Sequence, residues 1–540
     1  MGRRTMKKLV AVLLPWLASC HAQHINYPYS TIPTAAPTAQ TLTAFGIYAT
    51  PTIIRASDYG VLPGNSATTN DTAFAALNAV LTASPSTVWE VVFAPGTYQY
   101  TNNRWLWNVQ NIIIDASGVS FQCTNPTVDF NANDAVFNNG DFFITSGKVP
   151  FSGSETYTSG YLIDTANAGA TSVTITTAAN AGNFSVGTQV LIFGYDQQGG
   201  GYPPNMRYFE YATVTAVNAS TGVVSLAAPL KNFYDSRWED TANYAGITGL
   251  SAGAPRIMSL QRTDFSIPQL IWIRGATLLA NPNNTSAINV LLVAQVLIYD
   301  YVTSTGLFIV ESNQVLVRNS IFNGTGLAPD KLVDWAVIQD TTVHPTILEP
   351  TVYSIDDCVG VNDLSLMRDT LYGVIPGCSP RKLTITDTDI IPNTVSTAYS
   401  GIATAGRFPV WSVRIGNTRV YNPASAGLSY GFTNVASPGL SFTAGSGSGS
   451  GVISVTYSAT VASEVDYGMT LTDTTAGISG IVTGIYASGG NLIIDGTWGT
   501  ISSGDTINFY DVINAYDQGG NVIVGTQVPF WRAPPGPSHQ

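Results

Sequence analysis

Two neighbouring carboxyls, Asp356 and Asp357, run directly into Cys358, and residues 326–351 just before them carry Asp330, Lys331, Asp334, Trp335, Asp340, His344 and Glu349. Paired carboxyls are what cleavage of a glycosidic bond requires: one protonates the leaving oxygen while the other activates water or attacks. Adjacent residues on a strand point to opposite faces, so Asp356 and Asp357 project together only where the chain bends into a turn. There, mutual repulsion raises one pKa and suits that group as the acid. The alternative is a turn pair whose oxygens cap backbone N–H groups. Asp334 or Glu349 would supply a second carboxyl, and Trp335 would stack on a sugar ring. Lys331, His344 and Arg368 are further candidate substrate contacts; each residue singled out within 326–351, Asp334, Trp335 and Glu349 included, also reads as a solvated loop residue, and His344 before Pro345 as a turn residue. Elimination would instead need a base and a neutraliser for a uronate carboxylate, often calcium. Arg318, Arg368 and Lys331 are then the cations, with Asp356, Asp357 and Asp363 as ion ligands. No fixed spacing marks that chemistry, so hydrolysis ranks ahead of it. No cofactor is expected unless elimination brings calcium.

These residues need a scaffold, and the composition narrows which one. The 540 residues are 45% hydrophobic, ample for a large core, but only 10% charged. Gly, Pro, Tyr, Ser, Thr and Asn fill the difference, as in β-rich, turn-rich extracellular proteins. The balance is acidic, 34 Asp+Glu against 22 Lys+Arg, which argues against a nucleic-acid partner. No pair among the four His and four Cys has zinc-site spacing.

Arg3, Arg4, Lys7 and Lys8 precede the short apolar run Leu9 to Leu17. That run is too short to span a bilayer and reads as a secretory signal, residues 1–22. Leu17-Ala18-Ser19-Cys20 resembles a lipobox, with lipidation at Cys20; the alternative is cleavage after Ala22. A membrane is therefore expected as a partner only through that anchor, and the location is secreted or outer-surface-anchored. Residues 23–57, with Pro28, Pro33, Pro37 and Pro51, read as an extended arm. Cys358 and Cys378, twenty apart in an oxidising compartment, are candidates for a disulfide or for two buried thiols.

Thr69, Asn70 and Asp71 offer N-cap oxygens to a helix carrying Phe74, Leu77 and Leu81, ended by Ser84-Pro85. Short strands follow. From about residue 256 a pattern of alternating apolar residues closed by Asn or Asp returns at Val296-Ile298-Asp300, Val315-Val317-Asn319, Leu383-Ile385-Asp387 and Val413-Ile415-Asn417, with a looser copy at Ser365-Met367-Asp369. The closing residues are 19, 50, 18 and 30 apart. Such periods suit a parallel β-solenoid, whose single turns cannot bury their inward side chains alone. The interval of 50 reads as one turn plus an insertion forming a groove wall. A β-sandwich explains the alternation but not the recurring Asn/Asp register. The expected domains are a cap with first rungs at 58–159, an inserted β-subdomain at 160–235, the main β-helix at 236–436, a flexible Gly/Ser linker at 437–451 and a C-terminal β-domain at 452–540.

Asp58-Tyr59-Gly60, Asn70-Asp71-Thr72-Ala73, Phe93-Ala94-Pro95-Gly96-Thr97-Tyr98 and the stretch from Leu307 to Phe322 resemble the entrance and a rung of the pectate-lyase-like right-handed parallel β-helix superfamily. The resemblance covers roughly 55–155 and 256–435. It implies an all-β right-handed parallel β-helix with an N-terminal capping helix, but it is weak for reaction, because this fold hosts lyases, hydrolases, epimerases, tailspikes and adhesins. Asp356-Asp357-Cys358-Val359-Gly360-Val361 resembles a segment of polygalacturonase-type glycoside hydrolases. The resemblance implies acid/base chemistry at the two Asp and a Cys358–Cys378 disulfide. That family's other motifs are replaced here by Thr303-Ser304-Thr305-Gly306, Tyr399-Ser400-Gly401-Ile402 and Gly427-Leu428-Ser429-Tyr430. The expectation is a protein that cleaves a polysaccharide, with hydrolysis preferred. A lyase, or a non-catalytic polysaccharide-binding, adhesin or tailspike-like protein, is the alternative.

Overall fold

The computed structural model describes residues 50–531 except 102–103, 107–110, 125–141, 146–159, 196–205, 237–254, 260–269, 280–289, 294–295, 306–307, 311–313, 324–326, 330–332, 345–353, 356–360, 374, 376–379, 393–399, 405–409, 422–427, 429, 435–440, 457–464, 466–468, 511 and 526–529. The chain divides after Thr52, and the β-helix lies in the unit from Ile53 onward.

The alternating stretches stack as successive rungs of a right-handed parallel β-helix within one 19-stranded sheet folded at its corners. One wall runs in parallel register through Val88–Val92, Asn111–Cys123, Leu270–Leu279, Val296–Asp300, Gln314–Arg318, Val333–Gln339, Val361–Met367, Lys382–Thr386, Val410–Gly416 and Val512–Asp517. A second wall continues each rung after a corner, through Thr303–Ser304, Ile321–Phe322, Thr342–Val343, Thr370–Tyr372, Asp389–Ile391, Arg419–Tyr421 and Val522–Val524. Short parallel pairs, such as Phe308–Val310 with Leu327–Pro329, lie outside that sheet. The column of inward residues, including Ile273, Tyr299, Val317, Ile338, Leu366, Ile385 and Ile415, is one continuous core. Stacking completes that core, because no single turn encloses its own aliphatic groups.

The helix Ala67–Thr82 closes the N-terminal end. Its N-cap is Ser66, whose hydroxyl accepts from Thr69 N–H, rather than residues 69–71. Asn70 is buried and donates to Gln99 O, while Asp71 accepts from Thr101, so these residues tie the helix to the first rung.

Each corner places one residue in the left-handed region: Gly118, Gly275, then Tyr301, Asn319, Asp340, Arg368, Asp387 and Asn417, with φ between 49° and 56° for the six non-glycine residues. Asn and Asp tolerate that conformation, which accounts for much of the Asn/Asp period. The structure corrects the pattern by one residue in two rungs. The corner residues are Tyr301 and Arg368, not Asp300 and Asp369, so Leu297 and Tyr299 face the core instead of Val296 and Ile298. It also corrects the interval of 50 between Asn319 and Asp369. Val333–Gln339 and Thr342–Val343 form a full rung with its own corner at Asp340, so 326–351 is not an insertion on a groove wall. Replacing Asn319 by Val is expected to cost about 1–2 kcal/mol, because a β-branched side chain crowds the left-handed corner, whereas Asn319→Gly costs well under that. Urea midpoints measure both; equal losses would remove the corner argument.

Two antiparallel units interrupt the coil. Six strands between residues 161 and 259 form the first, so it extends beyond 235. Six strands between 441 and 510 form the second. The chain then returns to the β-helix, since Val512–Asp517 pairs in parallel with Val410–Gly416; the C-terminal β-domain is therefore 441–510 rather than 452–540. The Gly/Ser run is part of that domain, not a flexible linker. Gly445 N–H donates to Ser454 O at 2.6 Å, and Gly449 N–H to Val452 O at 2.9 Å.

Candidate glycan-binding surface

Val333 and Ala336 both belong to the core, while Asp334 and Trp335 between them are half-buried. The next rung repeats this: Val361 and Leu364 are in the core, and Asn362 and Asp363 lie half-buried between. A bend at the start of each strand thus turns two consecutive side chains outward, the arrangement that alternation alone forbids. In register, Trp335 sits beside Asp363, and Asp363 beside Lys382. Neighbouring rungs lie about 4.8 Å apart, so these three side chains form a short ladder.

Asp334 is clamped. Lys231, from the first antiparallel unit, approaches its carboxylate at 3.1 Å, and Asn362 Nδ2 donates to it at 3.0 Å. The same amide also donates to Phe209 O at 3.0 Å, so this cluster fastens the unit to the β-helix. Behind it, Glu210 is almost fully buried and accepts from the backbone N–H groups of Lys231 and Asn232 and from the Tyr234 hydroxyl. Burial pushes its carboxyl above the ordinary value, against those hydrogen bonds.

On the outer face of the long wall, environment changes along the axis. Ile113, Trp272, Ile298, Leu316 and Val337 are buried. From the Val361–Met367 rung onward the same column turns polar, through Ser365, Thr384 and Arg414, and beside it stand Asp363, Lys382 and Ser412. Lys382 lies 3.7 Å from Asp363, and the Arg414 guanidinium rests over the exposed Tyr516 ring at 5.2 Å. Aromatic rings at Trp335 and Tyr516, with hydroxyls and charged groups between them, match what a sugar chain offers: C–H faces and hydroxyl groups.

The sequence candidates separate accordingly. Trp335 stands on this surface, with Asp334 at its edge in an ion pair rather than as an open second carboxyl. Arg368 lies away from it at the corner, where it makes a two-pronged pair with Asp340 at 2.7 and 2.8 Å. The Arg368 guanidinium holds the Asp340 carboxyl below its usual range. His344 is exposed at the end of the second-wall strand; its N–H donates to Phe322 O and its ring meets the Tyr372 ring edge-on at 4.4 Å, a turn arrangement. Asp356, Asp357, Glu349, Lys331, Cys358, Cys378 and Cys20 lie outside the described residues. Among the described residues, no group of three His, Cys, Asp or Glu side chains could hold a metal ion. Lys231, Asn362, Lys382, Arg414 and Tyr516 were not candidates in the sequence. Asn362 and Asp363 repeat the outward pair of Asp334 and Trp335, a signal visible only once the extra rung is counted.

Phage tailspikes have solved structures similar to this chain. The tailspike gp49 from Pseudomonas phage LKA1 is 13% identical, covers 85% of this chain and 100% of its own, and superposes with a TM-score of 0.37. The Pseudomonas phage phi297 tailspike gp61 is 11% identical over 85% of this chain and 98% of its own, TM-score 0.32. The Gp54 tailspike of Acinetobacter baumannii bacteriophage AP22, solved in complex with A. baumannii capsular saccharide, is 8% identical over 90% and 99%, TM-score 0.32. No family model matches the chain, and no curated protein matches it.

Proposed function

We propose that this protein is an exported carbohydrate-active β-helix protein that binds a polysaccharide along the outer face from Trp335 towards Tyr516. The observation that carries the reading is the change on one wall from a buried apolar column, Ile113 to Val337, to a polar band in which Asp363, Ser365 and Thr384 are half-buried and Lys382 and Arg414 exposed, headed by an outward Trp335. Export through residues 1–22, with lipidation of Cys20 or cleavage after Ala22, belongs to the same proposal.

Cleavage of the bound chain is the second reading, and it rests on the resemblance of Asp356-Asp357-Cys358 to polygalacturonase-type glycoside hydrolases. Hydrolysis would assign the acid and base to Asp356 and Asp357, the pair that resembles polygalacturonase-type enzymes. A lyase remains the alternative reaction.

A polysaccharide panel tests both readings. Trp335→Ala is expected to weaken binding at least about tenfold, as loss of an aromatic anchor does. An unchanged dissociation constant would remove the surface from the account. Reducing-end release that disappears in Asp356→Asn/Asp357→Asn supports hydrolysis. Release that persists in that variant excludes the pair, and ultraviolet-absorbing products replace hydrolysis by elimination.

A further inference from the structure

Four arginines among the described residues of the β-helix are matched by carboxylates. Arg274 lies between Glu90 and Asp115, Arg318 pairs with Asp300, Arg368 with Asp340 and Arg419 with Asp389. In a chain of net charge −12 such matching is easily arranged. Among the described residues, Arg414 has no such carboxylate partner. It is exposed on the outer wall, and its guanidinium lies over the face of Tyr516. In parallel register, Arg414 follows Thr384 and Tyr516 follows Arg414. The ring of the last rung therefore supports the guanidinium from below. Lys382, about half exposed, stands one rung earlier and two residues back along the strand.

We infer that Arg414, seated on Tyr516 and flanked by Lys382, Thr384 and Ser412, forms a subsite for a carboxylate-bearing sugar unit of the polysaccharide. This rests on the proposed glycan-binding surface and adds its substrate class. The chemistry is direct. A guanidinium offers a planar fork of N–H donors that matches a carboxylate two-pronged, and stacking on an aromatic face fixes its plane before the ligand arrives. Lys382 adds positive charge, partly offset by Asp363 at 3.7 Å. Thr384 and Ser412 stand in the neighbouring register positions, where hydroxyls can bond the sugar's own hydroxyl groups. Trp335 lies three rungs before Arg414, about 14 Å along the axis, so one chain of a few sugar units reaches both. A neutral unit stacks at one end of the strip and an acidic unit pairs at the other.

Alginate, hyaluronate and polygalacturonate, each with its carboxyl-reduced form, test the subsite, with dextran sulfate and dextran as the sulfate arm. Binding is measured by calorimetry at low and physiological salt. The protein is expected to bind at least one acidic polymer about tenfold more tightly than its carboxyl-reduced form, the scale of one charge-assisted pair. Arg414→Gln is expected to abolish that preference, lowering affinity for the acidic polymer about tenfold more than for its reduced form, whereas Trp335→Ala weakens both forms alike. Tyr516→Leu, which keeps the charge but removes the seat, lowers the preference partway. Equal binding of acidic and reduced forms, or a preference that survives in Arg414→Gln, overturns the subsite while leaving glycan binding intact. A preference for dextran sulfate without one for any carboxylate polymer overturns the carboxylate assignment. No binding to any polymer overturns the subsite and the glycan-binding surface together.

Discussion

Arg318→Ala is expected to destabilise the protein by about 3–5 kcal/mol, the cost of stranding one member of a buried ion pair. Arg318 Nη2 lies 2.7 Å from Asp300 Oδ2, with side-chain exposures of 4% and 1%. The two residues face each other in register across adjacent rungs on the outer wall, beside the buried Ile298 and Leu316. Asn319 also donates to the second oxygen of Asp300 at 3.3 Å. Removing the guanidinium leaves a dry carboxylate held by that weak amide bond. Asp300→Leu/Arg318→Met removes both charges and is expected to recover most of the loss, since apolar replacements of buried pairs are often neutral or better. Chemical denaturation measures the three proteins. A single-variant loss under about 1 kcal/mol would mean that water reaches the pair, as it does for exposed ones.

Replacing Asp369 is expected to stabilise the protein at neutral and alkaline pH and to leave it little changed in acid. Asp369 interrupts an internal column of hydroxyls. Ser320, Thr341, Thr388 and Thr418 are buried one residue after successive corners, and each donates its hydroxyl to the carbonyl two residues back. The Ser320 and Thr341 oxygens lie towards the backbone N–H groups of Val302 and Ser320, one rung earlier. Asp369 continues the column by accepting from Thr341 N–H at 2.9 Å, and it also accepts from Met367 N–H at 2.8 Å. Burial drives its carboxyl well above the ordinary 3.8, with the two N–H bonds opposing, Asp340 adding to the rise and Arg368 reducing it. The neighbouring charged groups are thus Asp340 and Arg368, with Asp387 at the next corner facing the same arginine.

A carboxyl raised in the folded state keeps a proton that the unfolded chain releases. Its stabilisation is complete below the unfolded value and is lost as pH rises towards the folded value. The slope is about 1.4 kcal/mol per pH unit for one group. Glu90 and Glu210 are raised by burial too, so the wild type alone mixes several contributions of the same sign. The difference between wild type and Asp369→Thr isolates one of them. Thr restores the hydroxyl of its neighbours, and the stability difference should grow with pH above the ordinary carboxylate range. A difference independent of pH would show that Asp369 is ionised in the folded protein as it is in the unfolded one.

The coil was legible because its physics is local. Leu383, Ile385, Val413 and Ile415 alternate into the core, and Asp387 and Asn417 close their rungs in the left-handed conformation that Asn and Asp accept. The pattern slipped where another residue fills that corner: Tyr301 and Arg368 hide the signal and let their neighbours Asp300 and Asp369 take its place. The missed rung failed for a related reason. Its outward pair, Asp334 and Trp335, breaks strict alternation at the start of the strand, so the rung read as a polar insertion. Gly445 to Gly451 looked like a linker by composition, yet a Cβ on Gly445 would fall 2.8 Å from Ser454 O, so glycine there permits close backbone approach. The surface itself was only partly readable. Trp335 and Asp334 stood out by type, but Lys231 reaches Asp334 across 103 residues of chain, and no local period announces such a contact. Lys382 and Arg414 enter the surface through register alone, each as an ordinary outward residue of its strand.

Hydroxyl-radical footprinting with a bound polysaccharide tests the central claim most directly, because it reports which wall the ligand covers. The predicted result is protection of Trp335 and Tyr516 on the long wall, with no change at Ile321 and Val522, which are exposed on the second wall. Protection at Ile321 and Val522 with Trp335 and Tyr516 left reactive would place the glycan on the other face and contradict the account.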